Sequence, residues 1–226
     1  MSSAPRVAEA TPRFEPPPSN CSLCPRLVDF REANRRAHPE FYNGAVDAFG
    51  RLDARFLVVG LAPGLRGANC TGRPFTGDAA GDLLYPTLTE FGFADGDYAA
   101  RVDDGLMLVD CRITNAVRCV PPDNKPIGAE IRTCRDFLGR EIAALTNLRA
   151  ILALGRVAHE AVLAVFAARR ADYPFKHGAA HGLSDTVTLF DSYHCSRYNT
   201  NTGRLTPDMF DAVFRQVRDH LLARAA

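Results

Sequence analysis

Two short segments of the chain concentrate the residue types that can do chemistry. Segment 60–78 carries several glycines together with Phe75 and Asp78, and segment 194–206 joins His194 to a series of hydroxyl, amide and arginine side chains. Each segment begins where an apolar run, 56–59 or 187–190, comes to an end. Open α/β sheets bind ligands outside the carboxyl ends of their strands. Both segments are therefore predicted to contribute to one site.

Strands that alternate with helices are expected to position these segments. The apolar runs predict four strands, and the amphipathic stretches between them predict helices. Alternation of this kind favours a parallel sheet that is covered on both faces. The fold class is therefore predicted as α/β, a three-layer α/β/α sandwich around a central, mainly parallel four-stranded sheet. The predicted strands are 56–61, 106–113, 150–154 and 187–193, and the predicted helices are 23–37, 79–91, 130–147, 157–169 and one that begins at Pro207.

Length and composition bound the class of protein. A chain of 226 residues can bury one sizeable core, so residues 20–226 are expected to form a single domain. Residues 1–19 are rich in proline, alanine and serine and are expected to form a flexible tail. Neither a membrane span nor a signal peptide is recognisable, so we expect a monomer in the cytoplasm. With 27 basic and 26 acidic residues, net charge neither supports nor excludes a DNA partner.

The cysteines indicate a metal site, because the cytosol is reducing and disfavours disulfides. Cys21 and Cys24 form a C-x2-C pair, while Cys119 and Cys134 flank a loop rich in proline. These four thiols could act together. Their spacing is not that of a compact zinc finger, and it leaves both the metal and the pairing open.

The glycine-bearing segment 60–77 does not have the spacing of a nucleotide site. It matches neither the dinucleotide fingerprint nor the phosphate loop that ends in a lysine. A connection of this length without structure of its own is nevertheless usually functional or disordered. We therefore expect a functional loop that does not bind a nucleotide cofactor.

Taken together, these motifs resemble the uracil-DNA glycosylase superfamily, and specifically its iron-sulfur branch, family five, also called type B. The resemblance rests on the order and spacing of all the motifs and covers nearly the whole chain from residue 20. It implies a [4Fe-4S] cluster with a chiefly structural role. The matching pieces are 60–64, 71–78, Thr114 with Asn115, the cysteines Cys21, Cys24, Cys119 and Cys134, and 194–206.

An enzyme that acts on a base in duplex DNA must extrude the nucleotide, stack the base and read its edge. Phe75 offers the stacking face, with a buried core residue as the alternative. Asn115 offers an acceptor for uracil N3–H and a donor for O4, with a turn cap as the alternative. The resemblance implies that His194 donates to uracil O2, where charge builds as the bond breaks, against the alternative of a hydrogen-bonded core histidine.

The group that activates water is less evident. Leu61 and Ala62 stand where better-known branches carry an acidic or amide side chain, and neither can take a proton, which agrees with family five and not family four. Asn69, Asp78 or Asn115 could orient the water. Only Asp78 could also act as a base, although it is expected to cap a helix instead.

The remaining motif residues are assigned to binding. Ser196 and Arg197 are expected to contact DNA phosphates or to fill the gap that the flipped nucleotide leaves. Cys195 stands where relatives usually have proline, which frees a backbone dihedral beside His194. The resemblance also implies a base pocket, and its predicted lining is Gly60, Ala62, Pro63 and Gly64.

The chain is thus predicted to be a monofunctional uracil-DNA glycosylase for base excision repair. It would hydrolyse the N-glycosidic bond and leave an abasic site, and the resemblance extends the substrates to hypoxanthine and xanthine. A monofunctional mechanism fits the absence of lysine from the two motif segments. Two alternatives stay open: a module that binds uracil or abasic DNA with little turnover, and a zinc-stabilised α/β hydrolase of small molecules.

Overall fold

The structure is a computed structural model that describes residues 14–224. The described residues form eight strands and seven α-helices, which alternate through most of the chain. In chain order they are α1 (Pro25–Ala37), β1 (Phe49–Gly50), β2 (Phe56–Gly60), α2 (Ala68–Thr71), α3 (Ala79–Glu90), β3 (Ala94–Asp95), β4 (Met107–Leu108), β5 (Cys111–Asn115), α4 (Gly128–Ala144), β6 (Ala150–Leu154), α5 (Arg156–Val165), β7 (Ala180–Gly182), β8 (Thr188–Ser192), α6 (Arg197–Asn201) and α7 (Pro207–Ala223).

The central sheet has six strands in the order β1-β5-β2-β6-β8-β7. The four inner strands are parallel, as the sequence predicted, and the two edge strands are antiparallel to their neighbours. The sheet therefore has two strands more than the four predicted, one at each edge. Both edges are only two or three residues long, too short for an apolar run to mark them. One of them, β7, includes His181.

Helices cover both faces of this sheet, which confirms the three-layer α/β/α architecture. On one face, Phe56 and Val58 of β2 pack with residues of α3 and α7. On the other face, Leu57 and Val59 of the same strand pack with residues of α4 and α5. Every residue of β2, β5 and β6 is buried, as expected for parallel strands between two helical layers.

Two predicted elements have different bounds in the structure. The predicted strand 106–113 is split into β4 and β5, because Asp110 adopts a positive φ of 50° and turns the chain between them. The predicted helix 157–169 begins one residue earlier and ends at Val165, and a separate 3₁₀ turn follows at Arg170–Asp172. The other helix ends differ from prediction by a few residues, as helix termini commonly do.

The N-terminal segment was predicted to be a flexible tail over 1–19. Residues 1–13 lie outside the described part of the chain. Within residues 14–19, Pro17 is buried, and Arg112 lies 5.8 Å from the ring centre of Phe14. The described helices include none that is both long enough and apolar enough to cross a membrane.

Candidate active site

The inner strands deliver the sequence motifs to one edge of the sheet. In the parallel register Gly60 of β2 lies beside Asn115 of β5, and Leu154 of β6 lies beside Ser192 of β8. His194 follows the end of β8 by two residues. The two segments that the sequence singled out therefore meet at the carboxyl end of the sheet.

A small recess lies where these strand ends meet. It holds about 250 Å³ of atom-free space, part of which is open to solvent. Its walls include most of the side chains predicted for the site. The recess is lined by Ala62, Pro63, Gly64, Ala68, Phe75, Asp78, Ala80, Asn115 and His194.

A wider groove adjoins the recess and shares part of its wall. It contains about 1210 Å³ of open space, and Asp78 and His194 belong to both. Its lining also includes Arg156, Ser196 and Arg197. The recess therefore adjoins a groove that offers hydroxyl and guanidinium groups.

Phe75 lies at the centre of the recess wall. Its ring stacks with the ring of His194 at 5.9 Å between centres and 27° between planes. It also belongs to the main hydrophobic core, as the alternative of a buried core residue predicted, while its ring lines the recess. The backbone adopts a positive φ of 53°, a strained conformation for a bulky residue.

Gly60 allows the recess to be this compact. A Cβ atom at Gly60 would lie 2.3 Å from Asn115 Oδ1 and 2.5 Å from Phe75 Cζ. Both distances are far below van der Waals contact. Only glycine at this position lets the amide and the ring approach each other across the end of β2.

Asn115 closes β5 with its side chain at the recess. The residue is 3% exposed, and its amide makes no hydrogen bond to any other described residue. Buried amides usually have partners. An unpaired amide at the wall of a recess is therefore free to pair with a ligand, and the prediction of a turn cap is not supported by any contact here.

His194 is half-buried and lines both the recess and the groove. Burial lowers the pKa of its imidazole to about 4, so the ring is neutral near pH 7. Its Nδ1 is buried without a hydrogen-bond partner among the described residues, while its backbone carbonyl accepts a bond of 2.8 Å from Asn199 Nδ2. The backbone is thus tied down, and the ring is held mainly by packing.

Asp78 has two roles in the structure. One oxygen, Oδ1, caps α3 by accepting bonds from the amides of Ala80 and Gly81 at 3.1 and 3.4 Å, which confirms the predicted cap. The other oxygen, Oδ2, lies against the loop at Gly64 and Gly67. Burial raises the pKa of this carboxyl, while the two backbone bonds oppose the shift.

Asn69 does not line the recess. It is fully buried in α2, and its Nδ2 donates to Asn43 Oδ1 at 2.9 Å. The backbone of the same two residues is also joined at 3.0 Å, so this pair fastens the loop to the segment after α1. The sequence placed Asn69 near the water because it lies in the same motif, but the helical turn of α2 directs it away from the recess.

Two groups at the site were not identified from the sequence. Arg73 forms an ion pair of 2.7 Å with Asp104, both nearly buried, and this pair holds the loop that presents Phe75. Asp104 is distant in sequence, so no local pattern could reveal it. Tyr198, next to Arg197 at the groove, is 72% exposed, which is unusual for a large aromatic side chain.

The four cysteines of the predicted metal site come together beside α1. Cys21, Cys24, Cys119 and Cys134 line one cavity with about 350 Å³ of atom-free space. The Cys134 sulfur accepts a bond of 3.3 Å from the backbone amide of Arg118. The Arg31 guanidinium lies 4.0 Å from the Cys119 sulfur and lowers the pKa of that thiol, although burial and the other cysteines raise it to about 12.

The sulfur spacing bears on what this cavity can hold. No three of the four cysteine sulfurs lie within 4.8 Å of one another. Among the described residues, the three ligand atoms that do come this close belong to His159, His181 and Asp191. A single zinc ion binds thiolates at about 2.3 Å, which places their sulfurs about 4 Å apart. The wider separation and the cavity between the sulfurs suit a group larger than one ion.

Comparisons with known proteins agree with this site. The family described as "Uracil DNA glycosylase superfamily" matches residues 48–218. The chain is 46% identical over 203 residues to a type-5 uracil-DNA glycosylase of Thermus thermophilus, covering 88% of this chain and 92% of that protein. It is 40% identical over 201 residues to the type-5 enzyme of Pyrobaculum aerophilum, covering 87% of each. It is 32% identical over 151 residues to the type-4 enzyme of the same organism, covering 66% of this chain and 63% of that enzyme.

Proposed function

Because the chain belongs to the uracil-DNA glycosylase superfamily and to its type-5 branch, we propose that it excises uracil from DNA during base excision repair. The reaction is hydrolysis of the N-glycosidic bond. One observation carries the assignment of the site: Phe75, Asn115 and His194 surround a single recess at the carboxyl edge of the sheet. The alternatives of a binding module and a small-molecule hydrolase are not favoured by the family.

The recess is the proposed base pocket. A uracil extruded from the duplex would stack on Phe75, a contact worth about 1 to 3 kcal/mol per base. The unpaired amide of Asn115 would accept from N3–H and donate to O4. Cytosine presents the opposite pattern at these positions, so the same amide discriminates against it. Gly60, Ala62, Pro63 and Gly64 complete the pocket without side chains that would block the base.

His194 is the proposed stabiliser of the leaving base. When the bond between C1′ and N1 breaks, its electron pair moves to the base and negative charge develops at O2. A neutral imidazole can donate an N–H hydrogen bond to that oxygen without giving up its proton, and the lowered pKa keeps it in this form. Preorganised donors of this kind are often the largest catalytic contribution.

Water must then add to C1′ and lose a proton. Asp78 is the carboxylate in the walls of the recess and groove, and its Oδ2 makes no hydrogen bond to another described residue. We assign that oxygen the role of proton acceptor for the attacking water, and Asn115 is dropped from this role because its amide is assigned to the N3–H and O4 edge of the base. Asn69 is dropped from this role because its side chain lies outside the recess.

The groove is the proposed path of the DNA strand. Ser196 and Arg197 line it, and Tyr198 projects from the same short helix. Hydroxyl and guanidinium groups commonly position the DNA backbone without reading its sequence. The proposal includes an abasic-site product, activity on hypoxanthine and xanthine, and a single-domain monomer that works in the cytoplasm.

The cysteine cavity is the proposed site of a [4Fe-4S] cluster. Four cysteines are the usual ligand set for such a cluster, and the wide sulfur spacing supports it over a single zinc ion. The nearby Arg31 guanidinium and Arg118 amide suit thiolate sulfurs. Cys21, Cys24, Cys119 and Cys134 would hold the cluster, which supplies a covalent tie between α1 and the rest of the domain.

The activity is tested with labelled duplexes that carry one uracil, hypoxanthine or xanthine, followed by alkaline cleavage of abasic sites. The wild-type protein should release uracil, and His194→Ala and Asn115→Ala should each lose about 10²-fold in rate. His38→Ala, on the segment after α1, is the matched control and should retain full activity. Cleavage of no substrate by cluster-loaded protein would contradict the enzymatic assignment, and binding without base release would support the binding module.

The cofactor is tested on the protein as isolated without oxygen. A cluster gives a brown protein with a broad absorption band at about 400 nm and about four iron and four sulfide ions per chain. Zinc without iron and sulfide, in a colourless protein, would overturn the assignment. Cys70→Ser serves as the control, since Cys70 lies outside the cavity and should leave the spectrum unchanged.

A further inference from the structure

The loop between α5 and β7 carries a histidine that contacts the chain immediately before His194. The Nδ1 atom of His177 accepts a hydrogen bond of 3.1 Å from the backbone amide of Tyr193. Its ring stacks on the Tyr193 ring, with centres 5.0 Å apart and planes at 17°. Tyr193 follows the last residue of β8, where the sheet supplies no further partner for its amide.

The orientation of the His194 ring depends on contacts that other residues make with the backbone around it. Its Nδ1 has no hydrogen-bond partner in the described residues, so no bond at that atom orients the ring. On the carboxyl side, its backbone carbonyl accepts from Asn199. On the amino side, the carbonyl of Tyr193, in the peptide that joins it to His194, accepts a bond of 2.9 Å from Ser192 Oγ, and the amide of Tyr193, one peptide earlier, donates to His177. Side chains therefore hold the backbone on both sides of His194, and His177 is the one among them that comes from a distant segment.

From this geometry we infer that His177 is a positioning residue for His194, acting through the backbone amide of Tyr193. The inference rests on the proposed function, since it assigns a partner to the donor of the same site. His177 lines neither the recess nor the groove, so its proposed effect on the base is exerted through the backbone before His194. It acts on the rate by keeping the His194 donor aimed at the leaving oxygen.

The bond requires an unprotonated Nδ1, because an N–H there would face the amide of Tyr193. Burial lowers the pKa of His177 below its ordinary value of 6.5, and a backbone hydrogen bond with Met209 of α7 acts in the opposite direction. The ring faces Ser192 and Tyr193 at the end of β8, Lys176 precedes it in the chain, and Arg204 lies over the far side of the Tyr193 ring at 4.6 Å. The bond is therefore present at neutral pH and is lost as the pH falls through the pKa of His177.

Two variants separate positioning from general structural support. His177→Ala removes the acceptor, and His177→Asn keeps a short side-chain acceptor that does not titrate. Uracil-excision kinetics of His177→Ala should show a kcat about tenfold lower with KM almost unchanged, since misplacement of a catalytic group can cost up to about 10²-fold. His177→Asn should recover most of kcat and should lose the acidic limb of the wild-type pH profile that His177 causes.

The result that overturns the inference is a folded His177→Ala protein with wild-type kcat, or one whose defect lies in KM alone. Failure of His177→Asn to restore the rate, at an unchanged melting temperature, would also overturn it. Wild-type protein that releases no uracil would instead contradict the proposed function. In that case the positioning role of His177 is tested without activity, by NMR of the His194 ring. His177→Ala should shift the His194 ring resonances, and His177→Asn should return them towards their wild-type positions.

Discussion

Because Gly60 has no Cβ atom, the side chains of Asn115 and Phe75 can pack closely together at the recess. Replacement by alanine would place Cβ within 2.5 Å of both the Asn115 amide and the Phe75 ring, so one or both must move. We expect Gly60→Ala to lower kcat/KM by at least about tenfold, because shifts of this size misplace groups that must touch the base. Steady-state kinetics on a uracil duplex measure the effect.

The matched control for Gly60→Ala is Gly182→Ala. Gly182 lies in the edge strand β7, and a Cβ there would meet nothing within 4 Å. This variant should retain the wild-type kcat/KM and melting temperature. Equal kinetics for both variants would show that the recess tolerates a methyl group and that its tight packing is not needed.

His194 should make stability depend on pH. Its pKa is about 4 in the folded protein against an ordinary value of 6.5, so the unfolded chain binds more protons between these values. Stability is therefore complete above pH 6.5 and falls as the pH is lowered towards 4. Because the ring keeps some contact with the open recess, we expect a loss of about 1 to 2 kcal/mol between pH 7.5 and 5.

The contribution of His194 is isolated by comparing urea denaturation of the wild type with that of His194→Gln at both pH values. The variant has no imidazole to protonate, so its stability should fall less over this range. A parallel loss in the two proteins would show that other groups cause the acid sensitivity.

At the scale of elements, α3 depends on a carboxylate that also faces the recess. Asp78→Ala removes the cap and should lower the free energy of unfolding by about 1 kcal/mol. Asp78→Asn keeps a good capping side chain but cannot accept a proton. We expect near wild-type stability for Asp78→Asn with a large loss of kcat, and retained kcat would remove Asp78 from water activation.

The strand β8 is joined to its surroundings by a buried carboxylate. Asp191 accepts from His159 Nδ1 at 2.7 Å and from the Lys176 amide, and His181 Nε2 lies 3.2 Å away. His159 also contacts the Tyr173 carbonyl through Nε2, so both of its ring nitrogens face acceptors. The carboxylate of Asp191 thereby joins β8 to α5, to β7 and to the loop between them.

Breaking these contacts should be costly for the whole domain. We expect Asp191→Asn to reduce the free energy of unfolding by about 3 kcal/mol, because an amide in place of the carboxylate leaves at least one of these buried donors without an acceptor. Chemical denaturation provides the measurement. Asp53→Asn is the control: Asp53 pairs with Arg51 at 2.7 Å on the exposed surface and should leave stability unchanged.

The sequence predicted those elements whose patterns are local. The four inner strands are apolar runs, and the cap at Asp78 follows from the residue type and its place before an amphipathic stretch. The edge strands could not be predicted, since they exist only because β5 and β8 offer free edges. At the recess, the structure brings together Phe75, Asn115 and His194, which local patterns singled out, whereas the contacts of Asp104 and His177 join segments that are distant in sequence.

At the scale of the whole molecule, the cysteine cavity joins the first helix to the core. Cys21 and Cys24 lie just before α1. Cys119 precedes the loop that leads to α4, and Cys134 lies in α4 itself. Few other apolar contacts hold α1, since Leu27 is its main buried apolar residue there. Cys119→Ala should therefore reduce the iron content of the protein and lower its melting temperature by several degrees. An unchanged melting temperature would show that packing alone holds α1.

The parallel order of the sheet also determines when the site comes into existence. Its walls come from residues spread between 62 and 194, and the last wall follows β8, late in the chain. A nascent chain synthesised only through β5 already contains Phe75 and Asn115, yet it lacks His194, the proposed donor to the departing base. Translation products that end before His194 therefore lack one wall of the proposed pocket.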